Sequence, residues 1–64
     1  MVESSKIKRL REKLGLSQEK LARLADVSNN TLINIEAGKQ DNPTIDTLKK
    51  VAKALSVPIE DLIN

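Results

Sequence analysis

The stretch SQEKLARLADVSNNTLINIEAG, Ser17 to Gly38, contains two short helical patterns, each opened by a serine. Ser17 precedes Gln18 to Ala25, where Leu21, Ala22, Leu24 and Ala25 are apolar. Asp26 and Val27 form a turn, and Ser28 opens a second pattern that should end near Ala37 because Gly38 follows. Serine is favoured at such positions because its hydroxyl accepts a hydrogen bond from an otherwise free backbone N–H of the first turn. Glycine reaches the left-handed conformation that closes a helix without steric cost. Two helices joined by so short a turn read as a helix-turn-helix.

At about 100° per residue, the second of these helices divides into two arcs. Thr31, Leu32, Ile35 and Glu36 share one side, and Asn29, Asn30, Ile33, Asn34 and Ala37 share the other. Leu32 and Ile35 must face a core, so the asparagine arc faces outward. Three asparagines in the six residues 29–34 are poor chemistry for a helix, because Asn has low helix propensity and its amide competes with the backbone. An asparagine amide bonds adenine N7 and N6 together, and Ile33, with the Thr31 methyl at the arc's edge, suits a thymine methyl. The arc therefore predicts a double-stranded DNA partner read in the major groove. The plain alternative is a polar surface carrying one exposed isoleucine.

Ser17 and Gln18 stand where the free N–H groups and positive dipole end of a helix favour a phosphate. Gln18 also has the reach to lean toward the first residue of the following helix. Outward from this stretch, Ile7, Leu10 and Leu14 lie on one stripe of a helix running from Ser4 or Ser5 to Leu14, which Gly15 stops. After the polar loop 39–43, Pro43 and the cap Thr44 introduce a helix from Ile45 to Leu55 with Ile45, Leu48, Val51, Ala52 and Leu55 on its apolar stripe. A last short helix is expected from Ile59 to Ile63, after Pro58. The expectation is five helices, all-α, in a single domain over residues 1–64. Arg11 lies beside the stripe of the first helix and Glu36 beside Leu32. Both are expected to be partly desolvated and to pair as a structural ion pair, the alternative being two unrelated surface charges.

Composition narrows the function classes. A chain of 64 residues buries only about 60% of its unfolded surface, so it depends on economical packing. With no cysteine and no histidine, disulfides and the usual zinc ligands are excluded, and no metal, cofactor or catalytic residue is expected. No apolar run is long enough for a membrane span or a signal peptide, which predicts a soluble protein in a reducing compartment. Eleven Lys and Arg against nine Asp and Glu give a net charge of +2, which permits nucleic-acid binding without requiring it. Basic residues cluster at Lys6, Lys8, Arg9, Arg11 and Lys13 and at Lys49, Lys50 and Lys53, each group on a helix with an apolar opposite face. The absence of Phe, Tyr and Trp removes base stacking and argues against single-stranded targets.

The run Leu14 to Gln18, with Leu21-Ala22, Val27-Ser28, Ile35-Glu36, Gly38-Lys39, Asn42-Pro43-Thr44 and Ala52 to Leu55, resembles the phage-repressor and Cro-like helix-turn-helix family, also called the xenobiotic-response-element family. The resemblance covers the chain from Lys6 to Ile63. It implies a compact five-helix bundle of the lambda-repressor-like type, with the helix-turn-helix at helices 2 and 3, often binding two half-sites as a homodimer. Carried over by position, Gln18, Asn29, Asn30, Ile33 and Asn34 fall at base-contacting positions, and Ser17, Lys39 and Asn42 at phosphate-contacting ones. The family's Arg-to-Glu link between helices 1 and 3 matches Arg11 and Glu36. Three positions depart from the pattern: Asp26 and Ser56 stand where glycine is common, and Pro58 where a serine cap is usual.

The expected function is sequence-specific DNA binding, either in a transcriptional regulator, cytoplasmic and nucleoid-associated, or in an engineered DNA-binding miniprotein on the same scaffold. The competing class is a protein-interaction module presenting Ile33 and Ala37, or Ile59, Leu62 and Ile63.

Overall fold

The computed structural model describes residues 4–39 and 43–63. Four α-helices are formed, α1 (Ser4–Lys13), α2 (Gln18–Ala25), α3 (Asn29–Glu36) and α4 (Ile45–Leu55), followed by a 3₁₀ turn at Ile59–Leu62. Three starts are capped as their sequence dictates. The hydroxyls of Ser17, Ser28 and Thr44 accept from the backbone N–H groups of Lys20, Thr31 and Thr47 at 3.0, 3.0 and 3.1 Å.

All four α-helices end in the same turn, in which a left-handed residue lets two successive N–H groups bond back into the last helical turn. The left-handed residues are Gly15 (φ 71°), Asp26 (φ 57°), Gly38 (φ 74°) and Ser56 (φ 60°). The back-bonds run from Leu16 to Arg11, Val27 to Ala22, Lys39 to Asn34 and Val57 to Ala52, at 3.0 to 3.1 Å. After three of these turns the chain places a partly buried apolar residue, Leu16, Val27 or Val57, against the core. After α3 it places Lys39, which is exposed.

The core draws on every element: Ile7 from α1, Leu21 and Ala25 from α2, Leu32 and Ile35 from α3, Val51 and Leu55 from α4, and Leu62 from the 3₁₀ turn. Helices α2 and α3 pack on one another, α4 packs on α2, and α1 packs on α3 and on the terminal turn.

Four sequence expectations are corrected. The fifth helix is a 3₁₀ turn, because only four residues separate Pro58 from the extended Ile63, too few to establish an α-helical ladder. Asp61 N–H instead bonds the Pro58 carbonyl at 3.0 Å, and this tighter turn delivers Leu62 fully into the core. Leu14 is not on the buried stripe but 53% exposed. It lies past the end of α1, and the Gly15 turn brings Leu16 inward in its place. Leu24 is also 53% exposed, since it lies about 100° from the centre of the arc set by Leu21, Ala22 and Ala25. Ile45, the first residue of α4, sits about 70° off the line of Leu48, Val51, Ala52 and Leu55 and is exposed.

One ion pair joins α1 to α3. Arg11 Nε donates to Glu36 Oε2 at 2.7 Å and its Nη2 to Oε1 at 3.1 Å, while its Nη1 donates to the Leu16 carbonyl at 2.7 Å. The side chains are only 11% and 3% exposed. The hydrogen bond to Glu36 outweighs partial burial and holds the Arg11 guanidinium above its ordinary value.

Two outcomes follow. Glu36→Ala should destabilise the fold by about 3 kcal/mol in urea unfolding, because it strands the Arg11 charge, and Arg11→Met with Glu36→Leu should recover much of that loss. Ser56→Gly should raise stability by about 0.5 to 1 kcal/mol, since relief of the left-handed strain exceeds the added chain entropy of glycine.

Candidate nucleic-acid interface

Helix α3 turns Leu32 and Ile35 into the core, and the opposite arc is left to solvent. Asn29 and Asn30 in its first turn are exposed, Ile33 is 39% exposed, and Asn34 is half-buried further along. None of the three asparagine side chains hydrogen-bonds to a described residue, so each amide retains its full capacity to donate and accept. Thr31, at the arc's edge, is half-buried, and its hydroxyl accepts from Ser28 Oγ at 2.7 Å, which ties it to the helix cap.

Glu36 is the only ionisable side chain on α3. Because Arg11 occupies both of its carboxylate oxygens, the helix presents no unpaired anion at the arc. The surface is thus made of amides and one branched apolar side chain. Beside it stands Lys39, placed at the corner by the turn that ends α3.

Gln18 is half-buried at the start of α2. Its Nε2 donates to Glu36 Oε1 at 3.0 Å, so the side chain turns toward the last residue of α3 and not toward the first. Sequence reading missed this link, because partners eighteen positions apart leave no local signal. Ser17 is exposed, with its hydroxyl committed to capping α2. The structure therefore brings together Arg11, Gln18 and Glu36 in one hydrogen-bonded group, and sets Asn29, Asn30, Ile33 and Asn34 on one helix. Asn42 lies outside the described residues.

The cations elsewhere are largely solvated: Arg23 lies 4.0 Å from Glu19 and Lys50 3.6 Å from Asp46, each pair one helical turn apart and exposed. Among the described residues no group of three or more His, Cys, Asp or Glu side chains converges in a way that could hold a metal ion. No described helix is long and apolar enough to cross a membrane.

A family model described as helix-turn-helix matches residues 7–62. The chain is 41% identical over 61 residues to the transcriptional repressor RstR of the cryptic phage CTXphi from Vibrio cholerae, which covers 95% of this chain and 54% of that protein. It is 39% identical over 59 residues to the transcriptional regulator SinR of Bacillus licheniformis, covering 92% of this chain and 53% of that one. The chain thus spans about half the length of these relatives. Among solved structures, SinR in complex with DNA superposes with a TM-score of 0.86 at 37% identity, over 89% of this chain and 90% of that one. With the capped helix pair, the packed Leu32 and Ile35, and a family match spanning the whole core, the chain belongs to the phage-repressor and Cro-like helix-turn-helix family.

Proposed function

We propose that this chain is the sequence-specific DNA-binding part of a transcriptional regulator, which lays α3 in the major groove of double-stranded DNA. The observation that carries this reading is the outward arc of α3, three amides without hydrogen-bond partners among the described residues, flanking Ile33 on a helix whose single carboxylate is already paired. A side chain that has no partner in the protein and can both donate and accept suits the edge of a base pair. The relatives support it: RstR is a transcriptional repressor, and SinR is found in complex with DNA.

In this reading Asn29, Asn30, Ile33, Asn34 and Gln18 contact bases, and Ser17, Lys39 and Asn42 hold phosphates. The arc has no cation, so it favours A·T pairs at its centre, with amides on adenine and Ile33 against a thymine methyl. Control of transcription is steric or positional, with the protein in the cytoplasm on the nucleoid. Binding as a homodimer to two half-sites accompanies this reading, and the stoichiometry on the preferred duplex tests it. A protein-interaction surface centred on Ile33 would lack the linear log-log loss of affinity with salt that counterion release imposes on a DNA complex.

The preferred site is obtained by selection from randomised duplex DNA, and each base pair is then substituted singly. Asn30→Ala should relax preference at one base pair, by about 1 to 3 kcal/mol, and leave non-specific affinity nearly intact. Identical base preferences for the parent and Asn30→Ala proteins would show that Asn30 does not read sequence. Lys39→Ala should weaken matched and mismatched duplexes about equally and lower the salt slope by roughly one unit. A loss confined to the preferred sequence would reassign Lys39 to base reading.

A further inference from the structure

The Gln18 side chain differs from the three asparagines of α3 in being held by the protein itself. Glu36 Oε2 takes Arg11 Nε, and Oε1 takes both Arg11 Nη2 and Gln18 Nε2. A carboxylate paired in this way only accepts hydrogen bonds. The two faces of a glutamine amide are usually interchangeable, but here one orientation sets oxygen against oxygen in a site where Glu36 is 3% exposed. The amide nitrogen must therefore point inward. The Gln18 carbonyl oxygen is left over, and it accepts no hydrogen bond from a described residue.

We propose that Glu36 is a positioning residue for base recognition: besides pairing with Arg11, it fixes the Gln18 amide so that the carbonyl oxygen is offered to DNA as a hydrogen-bond acceptor. This rests on the reading of α2 and α3 as the DNA-facing elements. In the major groove the matching donors are the amino groups of adenine N6 and cytosine N4, whereas guanine and thymine offer only acceptors there. Gln18 thus selects adenine or cytosine on the contacted strand. Because the amide is already oriented in the free protein, little side-chain freedom is lost on binding. Arg11 acts on the same choice at one remove, by holding the Glu36 side chain in place between the helices.

Glu36→Gln removes the constraint. Arg11 donates to both carboxylate oxygens, through Nε to Oε2 and Nη2 to Oε1, so either orientation of the new amide sets its amino group against an Arg11 N–H. The site then no longer dictates which face of the Gln18 amide turns inward. With nitrogen or oxygen able to face outward, Gln18 no longer separates adenine and cytosine from guanine and thymine.

The test has two arms. In the free parent protein, side-chain amide NMR should show one Gln18 amide proton shifted downfield and exchanging about tenfold more slowly than those of Asn30; Gln18 amide protons as fast and as undisplaced as those of Asn30 would overturn the proposal. This arm does not depend on whether Glu36→Gln folds. In the second arm, single-substitution scans of the selected duplex are compared for the parent, Gln18→Ala, Glu36→Gln and Asn30→Ala proteins. Gln18→Ala should remove a preference of about tenfold for adenine or cytosine at one base pair, and Glu36→Gln should weaken that same preference while the other pairs keep theirs. A uniform loss of affinity in Glu36→Gln, with every preference unchanged, would reduce Glu36 to a structural role and overturn the proposal. An effect of Asn30→Ala with none from Gln18→Ala would overturn it and leave the DNA-reading helix standing. A folded parent that selects no duplex would overturn both.

Discussion

The Arg11–Glu36 pair is the constraint around which the rest of this small fold is arranged. Taking two charges out of water costs several kcal/mol per ion, and the loss is offset only where geometry and the remaining hydrogen bonds are satisfied. Here Glu36 receives two bonds from Arg11 and a third from Gln18, and Arg11 spends its remaining arm on the Leu16 carbonyl. The group therefore reaches α1, the turn after it, the start of α2 and the end of α3. Removing one member would leave a charge stranded among the others. Replacing both charges by apolar groups is a different matter, since buried pairs contribute little net stability. The pair is better understood as setting the position and charge of α3 than as cementing the core.

That charge has a consequence for the surface. In the proposed reading, a carboxylate on a helix that enters the major groove would be repelled by the flanking phosphates. Arg11 cancels it from behind, so α3 can carry Glu36 at its C-terminal end while its outward arc stays neutral. The same group explains why Gln18, alone of the polar side chains considered for base contact, is oriented before any partner arrives. Among the described residues, nothing restrains the asparagines of α3 in the same way.

Economy governs the remainder. Each element contributes only one to four buried residues, and even the four-residue terminal turn must supply Leu62. Repeating one turn at four helix ends closes the helices in few residues. After α1, α2 and α4 an apolar residue then enters the core at once, and the exception after α3 sends Lys39 to the surface instead. Asp26 and Ser56 carry this turn without glycine, at positive φ, because a short polar side chain tolerates the left-handed conformation better than a branched one.

Local chemistry along the chain controls the caps at Ser17, Ser28 and Thr44, the turn at Gly15, the span of α2 and α4, and the division of α3 into a buried and an outward arc. These depend on hydrogen bonds within a turn and on a period of about 3.6 residues, both readable along the chain. The placing of Arg11 near the apolar stripe was legible for the same reason. Tertiary structure decided what depends on neighbours distant in the chain. Leu14, Leu24 and Ile45 are apolar and lie near helical stripes, yet no described element covers them, and periodicity cannot register a missing neighbour. The terminal segment, too short for an α-helical ladder, closes as a 3₁₀ turn whose Leu62 is buried in a core built by other helices. Gln18 turned to Glu36 because folding brought an acceptor-only group within 3.0 Å, and an amide with two possible faces takes the one its partner's chemistry demands.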